Sequence, residues 1–343
     1  MAMGSLQSST EDLKEKTSIL AGISRFRELG LLVFIILLCI FVQTRNSSFF
    51  TVSNLNDMMT NTAILSILAL GMMMVLITRG IDLSIGATLA LSGMIVAQTV
   101  SVYQHLHPFL AITMGILIGI VCGLVIGFLV SKIGILPIIA TLAMMNIFRG
   151  VTYTVSDGQW VSSYQMPESF VSIATSQILG INTLVFIAIL IYIMGFYFMN
   201  HTTTGRQIYA VGSNPESAKV SGINQTKILF IVYSIMGGLA GLSGVLWVSK
   251  FASAQGDTAS GYELTVIAAC ILGGVSIAGG SGKISGVILG AVLLGILNNA
   301  LPLMNVSPFW QMAIQGFIIL FAVLLNTVVK RGVQRNHLLR RKI

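Results

Sequence analysis

Long apolar runs almost free of charge recur from residue 29 nearly to the end of this chain, and no other feature restricts its fold so severely. They fall at about 29–43, 62–78, 83–102, 109–130, 135–155, 178–199, 228–248, 264–277, 284–303 and 309–329. A hydrocarbon core about 30 Å thick is crossed by about 20 apolar residues in a helix. Backbone groups left unpaired in lipid are too costly to tolerate, so the runs read as helices, and the short or glycine-broken ones must pack against neighbours. The fold class that follows is all-α: a polytopic membrane protein with about ten transmembrane helices. Asp, Glu, Lys and Arg together make up 9% of the 343 residues, against about 25% in soluble domains. With the runs allotted to the bilayer, no stretch remains for a soluble catalytic domain.

Charge divides and orients the chain. Residues 1–28 form a polar tail, 29–329 the membrane domain with a long polar loop at about 201–227, and 330–343 a basic tail. With the N-terminus inside and ten crossings, sixteen of the nineteen Lys and Arg residues fall on the inner side and only Arg45, Arg149 and Lys250 on the outer. That asymmetry satisfies the positive-inside rule and predicts two cytoplasmic termini. The run at 29–43 has no small-residue cleavage site after it and reads as a retained first span. The basic residues sit between apolar runs without interleaved aromatics, which excludes nucleic acid as a partner. Cys39, Cys122 and Cys270 lie inside runs without CxxC spacing, so they predict neither a disulfide framework nor a metal site.

Small residues mark close helix contacts. Gly115, Gly119, Gly123 and Gly127 form a ladder at four-residue spacing, with similar pairs at Gly237/Gly241 and Gly286/Gly290. In lipid such ladders let helix backbones approach, and packing within one chain accounts for them without a dimer contact.

Polar residues inside apolar sequence are the candidates for function. The segment from Thr78 to Gly86 is a charged break between the second and third runs. Asp82 and Ser84 are placed to cap the helix that follows, and Arg79 to neutralise Asp82, in a structural or gating role. Arg149 and Glu263 lie near outer helix ends, and Asn146, Asn298 and Asn299 within or beside apolar runs, where polar groups face a bundle interior or an aqueous path. Trp160, Trp247 and Trp310 suit an interfacial belt. Trp247 is the exception to watch, since an indole stacks well on the C–H face of a sugar. Asn146, Trp247, Glu263 and Asn298 are therefore the expected lining of a substrate path.

The glycine-rich stretch Ala278–Ile284 fails as a phosphate loop: Ile277 stands where the first Gly belongs and Ile284 where the hydroxyl belongs. A tight turn between helices explains it. No catalytic or metal-ligating constellation is present, and His105, His107, His201 and His337 all lie in loops or tails. In the long loop, Asn214 can cap a helix with Pro215 at its first position, Glu216 and Ala218 within it and Gly222 ending it. Two turns are unstable alone, so the helix must be ordered by its own membrane domain or by a partner.

Four stretches carry a resemblance. The 205–223 loop, Gly80-Ile81-Asp82-Leu83-Ser84-Ile85-Gly86, Leu136-Pro137-Ile138-Ile139-Ala140-Thr141-Leu142 and Leu272–Gly282 together resemble, in the same order, the permease subunits of bacterial sugar ABC importers of the ribose, xylose and rhamnose group. The likeness runs from about residue 30 to 328, and Arg79 stands where many members have Gly. The ending from Leu301 to Gly316 looks most like the rhamnose or autoinducer-2 branch. The resemblance implies a multi-pass subunit of the bacterial inner membrane that moves a monosaccharide without altering it. Its implied partners are a cytoplasmic ABC ATPase, an extracytoplasmic sugar-binding protein and a second permease subunit, identical or paralogous. It implies no cofactor bound directly, with ATP and Mg used by the ATPase. Asn214, Pro215, Glu216, Ala218 and Gly222 then correspond to the ATPase-coupling segment. The rival reading is an ion-coupled secondary transporter of a small polar solute, which needs a mid-membrane carboxylate or a broken-helix cage. Asp82, near the inner surface, suits that poorly.

Overall fold

The computed structural model describes residues 28–318, 320 and 324. The chain folds as α1 (Glu28–Arg45), α2 (Val52–Ile77), α3 (Ile85–Val102), α4 (Pro108–Phe128) with a π-turn (Leu129–Ile133), α5 (Pro137–Ser156) and the short α6 (Glu168–Thr175). A hairpin follows, β1 (Gln177–Ile178) with β2 (Ile181–Asn182), then α7 (Thr183–His201), α8 (Thr203–Ser213), α9 (Pro215–Val220), α10 (Gln225–Phe251), α11 (Tyr262–Leu272) and α12 (Ile284–Leu303). Residues 308–318 are also helical, here α13. Eight of the described helices are long and apolar enough to cross a membrane, and α11 is a half-length one. The all-helical membrane architecture read from the sequence is thus found, with about ten as an approximate count. The tails at 1–27 and 330–343 and the far part of the run at 309–329 lie outside the described residues.

Element boundaries depart from the apolar runs where polar chemistry decides them. α2 begins ten residues before its run, at Val52, because the helix continues through Asn54 and Asp57. The first residues of the run at 178–199 belong to the hairpin, whose turn places Leu179 and Gly180 at φ 53° and 79°. Two positive φ values in a row give the turn whose twist suits a two-residue hairpin loop. α11 stops at Leu272, short of its run, since Gly273 ends it and Gly274 turns the chain at φ 95°.

α2 is the axis of the bundle: 89% of its most apolar window is buried, against 6% for α1. Around it the glycine ladders close the tightest seams. A Cβ added at Gly119 would overlap the carbonyl oxygen of Gly237, and one at Gly123 that of Tyr233, so α4 and α10 meet backbone to backbone. Gly286 and Gly290 of α12 meet Gly273 and Ala269 at the end of α11 in the same way. The ladders are packing devices within one chain. α3 joins the seam through Ser92, whose hydroxyl donates to Gly241 O at 3.2 Å.

Candidate functional site

Three segments converge where α2 ends. Ile77 O accepts from Gly280 N at 2.9 Å, which ties α2 to the turn after α11. Arg79, in the left-handed region at φ 65°, donates from Nε to Gly212 O and from Nη2 to Ser213 O, both at 2.7 Å. These carbonyls are the C-terminal end of α8, where the helix dipole and the unpaired oxygens both favour a cation. The Tyr209 hydroxyl donates to Gly282 O at 2.9 Å, and burial pushes the Tyr209 phenol up, keeping it a neutral donor. A Cβ at Gly212 would overlap Ile77 O, so α8 lies flat against both other segments.

The arrangement corrects two expectations about the break. Arg79 does not neutralise Asp82: its guanidinium is spent on α8, and no ion pair joins the two among the described residues. Asp82 is 3% exposed and its Oδ1 accepts from Ser84 N at 2.9 Å and Ser84 Oγ at 2.6 Å. Ser84 is the N-cap residue of α3 but makes no side-chain cap, since its hydroxyl is donated backward to Asp82. Thr141 Oγ1 donates to Ile81 O at 3.1 Å, so α5 braces the same break. The Tyr233 hydroxyl, buried against Gly80, has no hydrogen-bond partner among the described residues.

α9 has the capped form expected of it. Asn214 Oδ1 accepts from Ser217 N at 3.1 Å, Pro215 takes the first helical position, and Gly222 follows the helix at φ 80°. Ile223 N donates to Ala218 O and Gly222 N to Lys219 O, which closes the end. Of the two ways of ordering this helix, Ala218 takes the one within the chain. It is 4% exposed and packs into the core of this chain. The outward side carries Glu216, Ser217 and Lys219, together with Val220 at 89% exposure.

The expected substrate-path residues do not form one group. Asn146 is exposed on α5 and returns its amide to Leu142 O at 3.0 Å. One turn on, Arg149 Nη1 donates to Gly256 O at 2.7 Å and Thr258 O at 2.8 Å, clamping the loop between α10 and α11. Gly256 lies beneath the Tyr153 ring, and Ala254 pairs with Val161 in an isolated bridge, so this loop folds inward onto α5. Glu263 follows the loop, and its carboxylate faces Gly86 at the start of α3. Glu263 thus stands in the first turn of α11 and Arg149 in the second half of α5, near helix ends as expected, and both turn toward neighbouring elements of the bundle. Trp247 sits beside them, its ring 5.2 Å from Tyr262 and 4.9 Å from Phe251. Asn298 takes a different role: Gln315 of α13 donates to it at 2.8 Å, while the adjacent Asn299 pairs with Asn54 of α2. Trp160 and Trp310 are exposed.

Two features escaped the sequence. Tyr209 and Gly212 carry the junction, yet nothing in their spacing distinguishes them from other residues of an amphipathic helix. Arg149 had a signal, being a lone cation in an apolar run, but its partners are backbone carbonyls more than a hundred residues away.

Comparison with known proteins follows the same outline. Residues 54–323 match the family described as branched-chain amino acid transport system / permease component. The ribose import permease of Escherichia coli K12 is 39% identical over 297 residues, covering 86% of this chain and 92% of that protein. The ribose import permease of Bacillus subtilis is 38% identical over 317 residues, covering 92% and 98%. The L-arabinose transport system permease of Escherichia coli K12 is 34% identical over 297 residues, covering 87% and 89%. No solved structure matches the chain.

Proposed function

This chain belongs to the permease-component family, and from that premise we propose that it is the membrane subunit of an ATP-driven monosaccharide importer in a bacterial inner membrane. The observation that carries the reading is identity of 34–39% to ribose and arabinose permeases across nearly the full length of each. The family description names amino acids whereas those relatives name sugars, so the substrate class here follows the relatives. A ribose-like pentose or a deoxyhexose such as rhamnose fits it, and autoinducer-2 belongs to the same polar, hydroxyl-rich class.

In this reading both termini are cytoplasmic, as the distribution of Lys and Arg predicts. A cytoplasmic ABC ATPase binds ATP and Mg, a binding protein delivers the sugar from outside, and a second permease subunit completes the pore. This chain performs no chemistry on the sugar. ATPase movement enters through α9, whose outward face offers Glu216, Ser217, Lys219 and Val220, and passes through α8 to Arg79 and the end of α2. Asn146, Glu263 and Trp247 remain the candidates for the sugar path, joined by Arg149; Asn298 is reassigned to holding α13.

The test is uptake into vesicles carrying the complete importer. Ribose, arabinose, allose and rhamnose are offered from outside, with ATP inside or absent, and with the proton gradient collapsed. ATP-dependent accumulation that survives an uncoupler supports the reading. Accumulation that needs the gradient and ignores ATP would replace it with ion-coupled transport.

A further inference from the structure

The connection from α10 to α11 runs down into the bundle, not across its outer end. α10 has 27 residues and is about 40 Å long, whereas α11 has 11 and covers about 16 Å. The turn after α11 meets Ile77 O at the α8 end of the bundle, so Tyr262 begins α11 only about half-way across a hydrocarbon core about 30 Å thick. Contacts along residues 252–261 trace the descent. Ala254 pairs with Val161 in the connection that follows α5. Gly256 and Thr258 reach Arg149, about two turns inside the end of α5. Ala259 O then packs against Gly86 at the start of α3. The level of Gly86 follows from α3, which runs alongside α10: Gly93 meets Gly244, and Gly86 lies about 10 Å lower on the same helix. That is the level of the middle of α10.

Non-helical backbone survives at this depth only where it is buried in protein or faces a water-filled cavity. The loop does both. Ala252 and Ala259 bend it at φ 46° and 55°, and Ala254, Gly256 and Ala259 are buried. Asp257, Ser260 and Gly261 are exposed, and no ion pair joins the Asp257 carboxylate to another described residue. A carboxylate exposed half-way across the bilayer faces water, since facing lipid is too costly. We propose that residues 252–261 form a re-entrant loop lining a water-filled path open to the outer side, with Asp257 and Ser260 as its solute-facing groups. A carboxylate that accepts beside a hydroxyl that both donates and accepts suits a neutral, polyhydroxylated solute. Arg149 is the positioning residue: its guanidinium holds the loop by the Gly256 and Thr258 carbonyls. That the solute is a sugar rests on the transport reading; that the loop faces water does not.

The experiment places the complete importer in right-side-out vesicles, its permease carrying Cys39→Ala, Cys122→Ala and Cys270→Ala. Single cysteines are introduced as Asp257→Cys, Ser260→Cys and, for comparison, Val121→Cys, which is 60% exposed in the middle of α4. A membrane-impermeant cationic thiosulfonate is then added outside. The reactive thiolate needs water, so Asp257→Cys and Ser260→Cys should be modified about tenfold faster or more than Val121→Cys. Ser260→Cys nearly preserves the side chain's size, and it should accumulate sugar until it is modified and then lose about tenfold or more of its ATP-driven uptake. Modification of both loop cysteines no faster than at Val121→Cys would overturn the proposal, since the loop would then be packed against the second permease. So would fast modification that leaves uptake unchanged in whichever loop variant transports. Labelling needs no transport: a parent importer without ATP-driven uptake would fail the transport reading and leave the water-filled path standing.

Discussion

The α4–α10 seam and the open groove between α7 and α12, floored by α2, are built from equally apolar sequence, yet one excludes even a methyl group and the other stands open. The difference lies in where glycine falls. At the seam, Gly119 and Gly123 face Gly237 and Gly241, so carbonyl meets Cα and the helices touch along their length. At the groove, the larger side chains of Met59, Ile193 and Ile288 line an open face. Hydrophobicity alone does not draw helices together in lipid, because acyl chains are as apolar as leucine. Closed and open faces in this protein are therefore set by side-chain size, and each kind has a substitution that exposes it.

The largest effect is expected at the seam. Gly119→Leu drives a side chain into Gly237 backbone, which has no rotamer to yield, and overpacking of this kind costs about 1–3 kcal/mol or more. Gly30→Leu adds the same side chain where nothing lies within 4 Å. The first should lose most of the folded protein on detergent size-exclusion, and the second should behave as the parent. Similar yields from both would mean that the seam is not close-packed.

Next in size is Gly212→Val, at the closed contact of α8 with Ile77 and Gly280. The bundle should still assemble, since α8 is not a span, but ATP-driven uptake should fall by about a hundredfold or more. Uptake within twofold of the parent would remove α8 from the coupling route. Arg79→Gln should come third. It forfeits charged hydrogen bonds to Gly212 and Ser213, worth about 1.5–3 kcal/mol each at most. Uptake should drop roughly tenfold, with Arg79→Lys between, because an ammonium does not reproduce the fork geometry. Loss of ATPase stimulation with an unchanged melting temperature would separate a coupling fault from a folding fault.

The sequence displays the closed and open faces unequally. The glycine ladder, the capped form of α9 and the turn at 276–282 are local: each is written within a few neighbouring residues, and each can be read without knowing what lies opposite. The role of Arg79 is not local. Proximity in the chain suggested Asp82 as its partner, but a positive φ turns the side chain toward α8, and only tertiary packing says so. The loop that folds onto Arg149 is hidden for the same reason. Its residues are polar enough to read as an outer connection, and it meets Arg149 through its own backbone carbonyls, which carry no sequence signal. Asn298 and Asn299 show the limit in another form: adjacent amides in one run serve different neighbours, Gln315 and Asn54.

The smallest expected effect falls on Val220, on the outer side of α9, where closed and open faces sit two residues apart. Ala218 is buried in the membrane domain, and Val220 is 89% exposed. An exposed Val on an otherwise polar, two-turn helix is best explained by a contact that forms in the assembled importer. Removing one such apolar side chain from an interface costs about 1 kcal/mol, so Val220→Ser should weaken ATPase association by about fivefold and leave the melting temperature unchanged. Ala218→Glu should do the reverse in order of cause: a carboxylate forced into the core destabilises the bundle first, and ATPase binding fails as a consequence. Titrating the ATPase onto the purified permease, alongside thermal melts of both variants, separates the two. If Val220→Ser binds normally and Ala218→Glu melts normally, the faces of α9 are assigned the wrong way round.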